Sequence, residues 1–193
     1  MNLIKRLALI AALAVLAGCA HDITVSPDIA KIDRPRSAER IDAPVAYYIP
    51  AELMMQKVTT PGGGGDKVSY TPYKDIETAF YKMLTNVFKS VTKAKGTTGA
   101  DTDGARFVIA PKIHTNSSSP SPFTWPPTRF TTEITSVITD ASGKQVTTIS
   151  VAAEGAAEFD EFKRNFSLSA QRSTEAVLLK LQDALLAAPE LRQ

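Results

Sequence analysis

Nucleophilic and metal-assisted catalysis need thiols, imidazoles or carboxylates in a defined arrangement, and this 193-residue chain holds one Cys and two His. Cys19 is the lone thiol, His21 falls in a polar N-terminal stretch, and His114 sits at a strand end. With no His-Glu-x-x-His, no Gly-x-Ser-x-Gly and no second Cys, neither a zinc hydrolase nor a Ser-His-Asp triad has its parts. Carboxylates are more plentiful. Glu154, Glu158, Asp160 and Glu161 form an acidic group that general acid–base chemistry could use, but Lys163 and Arg164 beside them favour a solvated strand end. Gly62 to Gly65 invite a phosphate-cradling reading, yet Asp66, Lys67 and Val68 follow where a phosphate loop requires Gly-Lys and then Ser or Thr. Four successive glycines leave too much backbone freedom for a packed element, so they mark a loop tip. Asp101-Thr102-Asp103-Gly104 has the composition of a calcium loop, but placing its Gly sixth puts Gly99 where the first Asp ligand is required. A turn is expected there. The inventory therefore points to a non-enzyme with no metal site and no cofactor.

The one thiol gains meaning from what precedes it. Met1 to Arg6 is a short basic region, and Leu7 to Leu16 is an apolar run too short to cross a bilayer but of signal-peptide length. It ends in Leu16-Ala17-Gly18-Cys19, which resembles the bacterial lipobox. That resemblance implies cleavage before Cys19, a diacylglycerol thioether on its sulfur, and a membrane held through acyl chains, each buried methylene contributing about 0.8 kcal/mol. Ala20 rather than Asp follows the Cys, a pattern similar to the outer-membrane class of such proteins. The 22 Lys and Arg include Lys5 and Arg6, so removal of the signal leaves the basic residues balanced by the 20 Asp and Glu. A formally neutral mature chain argues against a nucleic-acid partner.

Recognition chemistry concentrates in Ser117 to Pro127, which carries the only Trp and a run of prolines. Proline stiffens a loop and lowers the entropy lost on binding, while aromatics make interface anchors. Phe123, Trp125 and Pro126 are the candidate partner-binding residues. The competing reading folds Phe123 and Trp125 back as a cap on the domain's own core.

These residues must be held by a scaffold that the hydrophobic pattern outlines. Val45 to Ile49 is β-rich, and Ile76, Phe80, Leu84, Val87 and Val91 share one face of a helix predicted over residues 73–91. Phe107 to Ile113 reads as a strand. Residues 129–139 and 144–153 alternate as two more, joined by a hairpin turn at Asp140 to Gly143. A Leu-rich helix over 169–188 closes the chain before Pro189. This order predicts an α+β fold: a mostly antiparallel sheet with two helices packed on one face, a two-layer sandwich. The expected organisation is a signal peptide at 1–18, a lipidated N-terminus and tether at 19–43, and a single periplasmic domain at 44–193. Such a tether would span roughly 27 Å and hold the domain clear of the bilayer.

The lipobox, the Ile23-Thr24-Val25-Ser26-Pro27 segment, the first long helix, and the closing hairpin and Leu-rich helix together resemble YajG-type bacterial lipoproteins. The order of elements is also similar to LptE and to auxiliary lipoproteins of ABC transport systems. The resemblance implies a lipid-anchored outer-membrane protein, facing the periplasm, that acts non-catalytically as an accessory to an envelope partner in assembly or transport. Only Cys19 carries over as a functional residue. The alternative is a periplasmic carrier or sensor of a small apolar or lipid ligand held between the helices and the sheet.

Overall fold

Alternation of apolar and polar residues through 129–138 demands a sheet with one buried and one open face. The computed structural model, which describes residues 20–33, 39–61, 67–102, 104–119 and 129–193, supplies both faces. In chain order its elements are β1 (Ala20–Asp22), α1 (Ile29–Ile32), β2 (Ile41–Tyr47), α2 (Ala51–Met54), β3 (Val58–Pro61), β4 (Lys67–Tyr70), α3 (Pro72–Val87), β5 (Phe88–Lys93), β6 (Phe107–Ser118), β7 (Arg129–Asp140), β8 (Gln145–Ala156), α4 (Phe159–Phe162) and α5 (Leu168–Ala187).

The expected α+β sandwich is present. Its large sheet has five strands in the order β5-β2-β6-β7-β8. β6 and β7 pair antiparallel along their whole length without a register shift, and β8 continues the ladder with one shift between Ile138 and Thr139. Phe130, Thr132, Ile134, Ser136 and Ile138 point inward from β7 and are buried. The β7–β8 turn falls at Asp140 to Gly143 as the sequence predicts. Gly143 adopts a φ of 87°, a left-handed conformation that costs glycine least, and the Asp140 carboxylate accepts the backbone N–H groups of Ser142 and Lys144 at 2.9 and 3.1 Å. Helices α3 and α5 cover the inner face. At Gly155 the α5 backbone comes so close that a Cβ would lie 2.1 Å from the Ser169 carbonyl oxygen and 2.3 Å from the Ser173 nitrogen.

Three expectations need correction in detail. The first helix stops at Val87, where Phe88 turns extended, and Val91 belongs to a strand. Spacing alone extended the helix, because Val87 and Val91 keep the four-residue interval. Ser90-Val91-Thr92 instead pairs with β2, and that ladder overrides helical propensity. Second, β2 runs parallel to both β5 and β6, so a short parallel edge is added to the antiparallel ladder.

The third correction concerns the tether. Residues 20–33 are built into the domain. β1 adds to β4 in a separate three-stranded sheet, β1-β4-β3. Val25 and Ile32 are completely buried, the Ile23 N–H donates to the Ser69 carbonyl at 2.9 Å, and the Val25 N–H donates to the Asp75 carboxylate at 3.0 Å. The charged side chains of this segment have fixed tasks. Asp28 caps α1 through the Ala30 N–H, Lys31 pairs with Glu175 at 3.0 Å, and Asp33 pairs with Lys82 at 2.7 Å. Apolar residues too few to show a period still fill individual slots between α3 and α5.

Candidate functional site

Cys19, Phe123, Trp125 and Pro126 lie outside the described residues. What the structure defines is the end of the molecule from which their segments leave. The small sheet stacks over the inner face of β6 and is joined to it by buried hydroxyls. Thr60 Oγ1 lies 2.5 Å from Ser117 Oγ, and Ser117 Oγ donates to the Pro61 carbonyl at 2.6 Å. Tyr70 Oη donates to Thr115 Oγ1 at 2.8 Å, while its ring meets Phe130 edge-on at 5.2 Å. Tyr73 Oη accepts the Ile113 N–H at 3.1 Å. Burial pushes the Tyr70 phenol above its ordinary range, against the opposing hydrogen bonds from Thr115 and Thr60. It therefore remains a neutral hydrogen-bonding group. With every one of these hydroxyls hydrogen-bonded, to another hydroxyl or to the backbone, this network is suited to holding strand ends together.

Sequence reading missed this network, although a signal was present. Thr115 and Ser117 continue the inward positions set by Phe107, Ile109 and Ile113, and a polar residue at an inward position needs a buried partner. The partners come from β3 and β4, whose placement no local pattern records.

The acidic group separates into individual pairs. Glu154 faces Arg129 at 2.9 Å, and Asp160 faces Lys163 at 3.5 Å. Glu161 is held by both terminal nitrogens of Arg172, at 2.7 and 2.9 Å, and by the Glu158 N–H at 3.0 Å. The guanidinium first, and then that N–H, lower the Glu161 carboxyl from its ordinary 4.5 to about 2. A general acid needs the opposite shift. His114 is exposed on the outer face of the sheet, in register with Glu133. Among the described residues, no group of three or more His, Cys, Asp or Glu could hold a metal ion, and no helix is long and apolar enough to cross a membrane.

Between helices and sheet, Phe80, Met83, Ile109, Phe130, Ile134, Ile138 and Leu178 are almost fully buried and fill the layer. A surface cleft of about 280 Å³ lies elsewhere, where Ser26, Ile29, Lys74, Asp75 and Thr78 flank the N-terminal segment and α3.

No known protein family and no curated protein matches the sequence. Solved structures do match in shape. A Xanthomonas campestris protein of the DUF330 family superposes with a TM-score of 0.50 at 9% identity, covering 86% of this chain and 90% of its own. A minor lipoprotein from Acinetobacter baumannii gives 0.42 at 11% identity, over 74% of this chain and 92% of its own. A Caulobacter crescentus protein described as a putative lipoprotein gives 0.31 at 14% identity, over 45% and 71%. The chain thus shares the overall fold of the Xanthomonas protein.

Proposed function

We propose that this protein is an outer-membrane lipoprotein, anchored through Cys19 and facing the periplasm, whose domain works without catalysis as an accessory to an envelope partner. The observation that supports surface binding over an internal ligand is the packing between helices and sheet. Phe80 and Phe130 are each 1% exposed there, and the α5 backbone approaches Gly155 too closely for even a methyl group. An apolar ligand would have to displace that packing, so the carrier reading is the weaker one. Recognition then belongs on the surface, and Phe123, Trp125 and Pro126 remain the proposed contacts.

Two measurements test this. Metabolic labelling with a fatty acid should mark the wild type and spare Cys19→Ala, which accumulates as precursor; label on the variant would refute the anchor. Trp125 should fluoresce red and be quenched by acrylamide in the isolated protein, then be shielded when partner-bearing membranes are added. A blue, unquenched Trp125 would return Phe123 and Trp125 to core packing.

A further inference from the structure

We propose that the domain sits directly on the bilayer, with the end formed by Ala20, Pro61, Lys67 and Ser118 against the lipid headgroups. The inference rests on the acylation of Cys19 and goes beyond it. Acylation alone would leave the domain free on a tether, whereas the structure removes the tether. Ala20, the residue immediately after Cys19, is already strand β1, in register with Lys67 of β4. Consecutive Cα atoms are about 3.8 Å apart, so a lipid thioether on Cys19 brings the end of the small sheet to headgroup level. Ile23, Thr24 and Val25 then bind through their N–H groups to Ser69, Ser167 and Asp75 at 2.9, 3.1 and 3.0 Å. No slack follows the anchor.

Which other surfaces reach the bilayer follows from the register. Lys67 pairs with Pro61, Pro61 is bound to Ser117, and Ser118 pairs with Arg129 at the end of the long ladder. The β7–β8 turn lies at the far end of β7, eleven residue steps or roughly 36 Å away along the strand. At this end Arg129 compensates Glu154 at 2.9 Å, and the exposed Lys67 can meet a headgroup phosphate. A partner reached from this end must itself be accessible at the membrane surface.

Cys19 is the only native thiol, and acylation occupies it, so an introduced Cys labels cleanly. Full-length acylated Lys67→Cys, Ser118→Cys and Ala141→Cys would each carry a maleimide fluorophore. Reconstitution is in vesicles of phosphatidylethanolamine and phosphatidylglycerol containing a headgroup-spin-labelled lipid. The expected result is quenching several-fold stronger at positions 67 and 118 than at position 141. Equal quenching at all three, or strongest quenching at 141, with fatty-acid label present on Cys19, overturns the orientation alone. Absence of that fatty-acid label overturns the anchor and the orientation with it. A Gly/Ser insertion of about ten residues between Cys19 and Ala20, with an r.m.s. span of roughly 17 Å, should erase the difference. Undiminished quenching after the insertion would overturn the role given to the short link.

Discussion

At the residue scale, the carboxylate pushed furthest down among those described is structural. Glu161 joins α4 to α5 through Arg172, and Arg172 also donates to the Ala156 carbonyl at 2.8 Å, which fixes the end of β8 to both. Because the folded carboxyl titrates near 2 and the ordinary value is 4.5, its stabilising effect is complete above 4.5 and disappears as pH falls through about 2. A carboxyl-carbon NMR titration should place the Glu161 midpoint near 2 and show it rising in Arg172→Met; an unmoved midpoint would remove Arg172 as the cause. Gly155 gives a second residue-scale expectation. Its missing side chain admits the α5 backbone, which cannot withdraw as a flexible side-chain tip could. Overpacking typically costs about 1 to 3 kcal/mol, sometimes more, and Gly155→Ala should lie at or above the top of that range in urea melts. Wild-type stability in this variant would mean that the helix and sheet are farther apart than described.

At the element scale, the N-terminal segment decides how the molecule is built. Asp75, in the first turn of α3, accepts from Thr24 Oγ1, Val25 N and Thr71 Oγ1 at 3.2, 3.0 and 3.1 Å, while Ser26 Oγ donates to the Asp75 carbonyl at 2.8 Å. α1 then wedges Ile32 between the long helices, and its carbonyl accepts from Asn86 at 2.9 Å. Amide exchange should separate this arrangement from a tether. The Ile23 and Val25 N–H groups should exchange orders of magnitude more slowly than free chain, and those same amides should lose protection in Asp75→Ala. Exchange at the free-chain rate in the wild type would restore the tether.

At the scale of the whole molecule, a continuous apolar cluster joins α3, α5, the large sheet, the small sheet and residues Val25 and Ile32. A shared core of this kind favours a single cooperative unfolding transition. Phe80 sits within it and meets the Tyr47 ring edge-on at 6.0 Å. Truncating a buried Phe costs about 3 to 5 kcal/mol, a large fraction of the roughly 5 to 15 kcal/mol by which domains of this size are stable. Lys82→Ala removes only the half-exposed pair with Asp33, a class of interaction contributing about 0 to 1 kcal/mol. The Phe80→Ala urea midpoint should therefore fall far more than that of Lys82→Ala, and equal shifts would contradict the assigned helix face.

Much of this architecture was legible from local pattern. The three-to-four spacing of Ile76, Phe80 and Leu84, the alternation through Phe130, Ile134 and Ile138, and the Asp140 to Gly143 turn each express a period or a backbone preference within one stretch of chain. The resemblance of Leu16 to Cys19 to a lipobox is local in the same sense, as is the Pro-aromatic composition around Trp125. Tertiary structure alone decided where pairing competes with propensity. Phe88 to Lys93 leaves the helix because β2 offers it a parallel ladder, and Ala20 to Asp33 folds because distant residues supply its partners: Ser69, Asp75, Ser167, Asn86 and Glu175. The clustering of Ala20, Pro61, Lys67 and Ser118 at one end is of the same kind. Apart from the Pro61–Lys67 pair, these contacts join residues tens of positions apart, and their free energy arises only when sheet and helices have already come together.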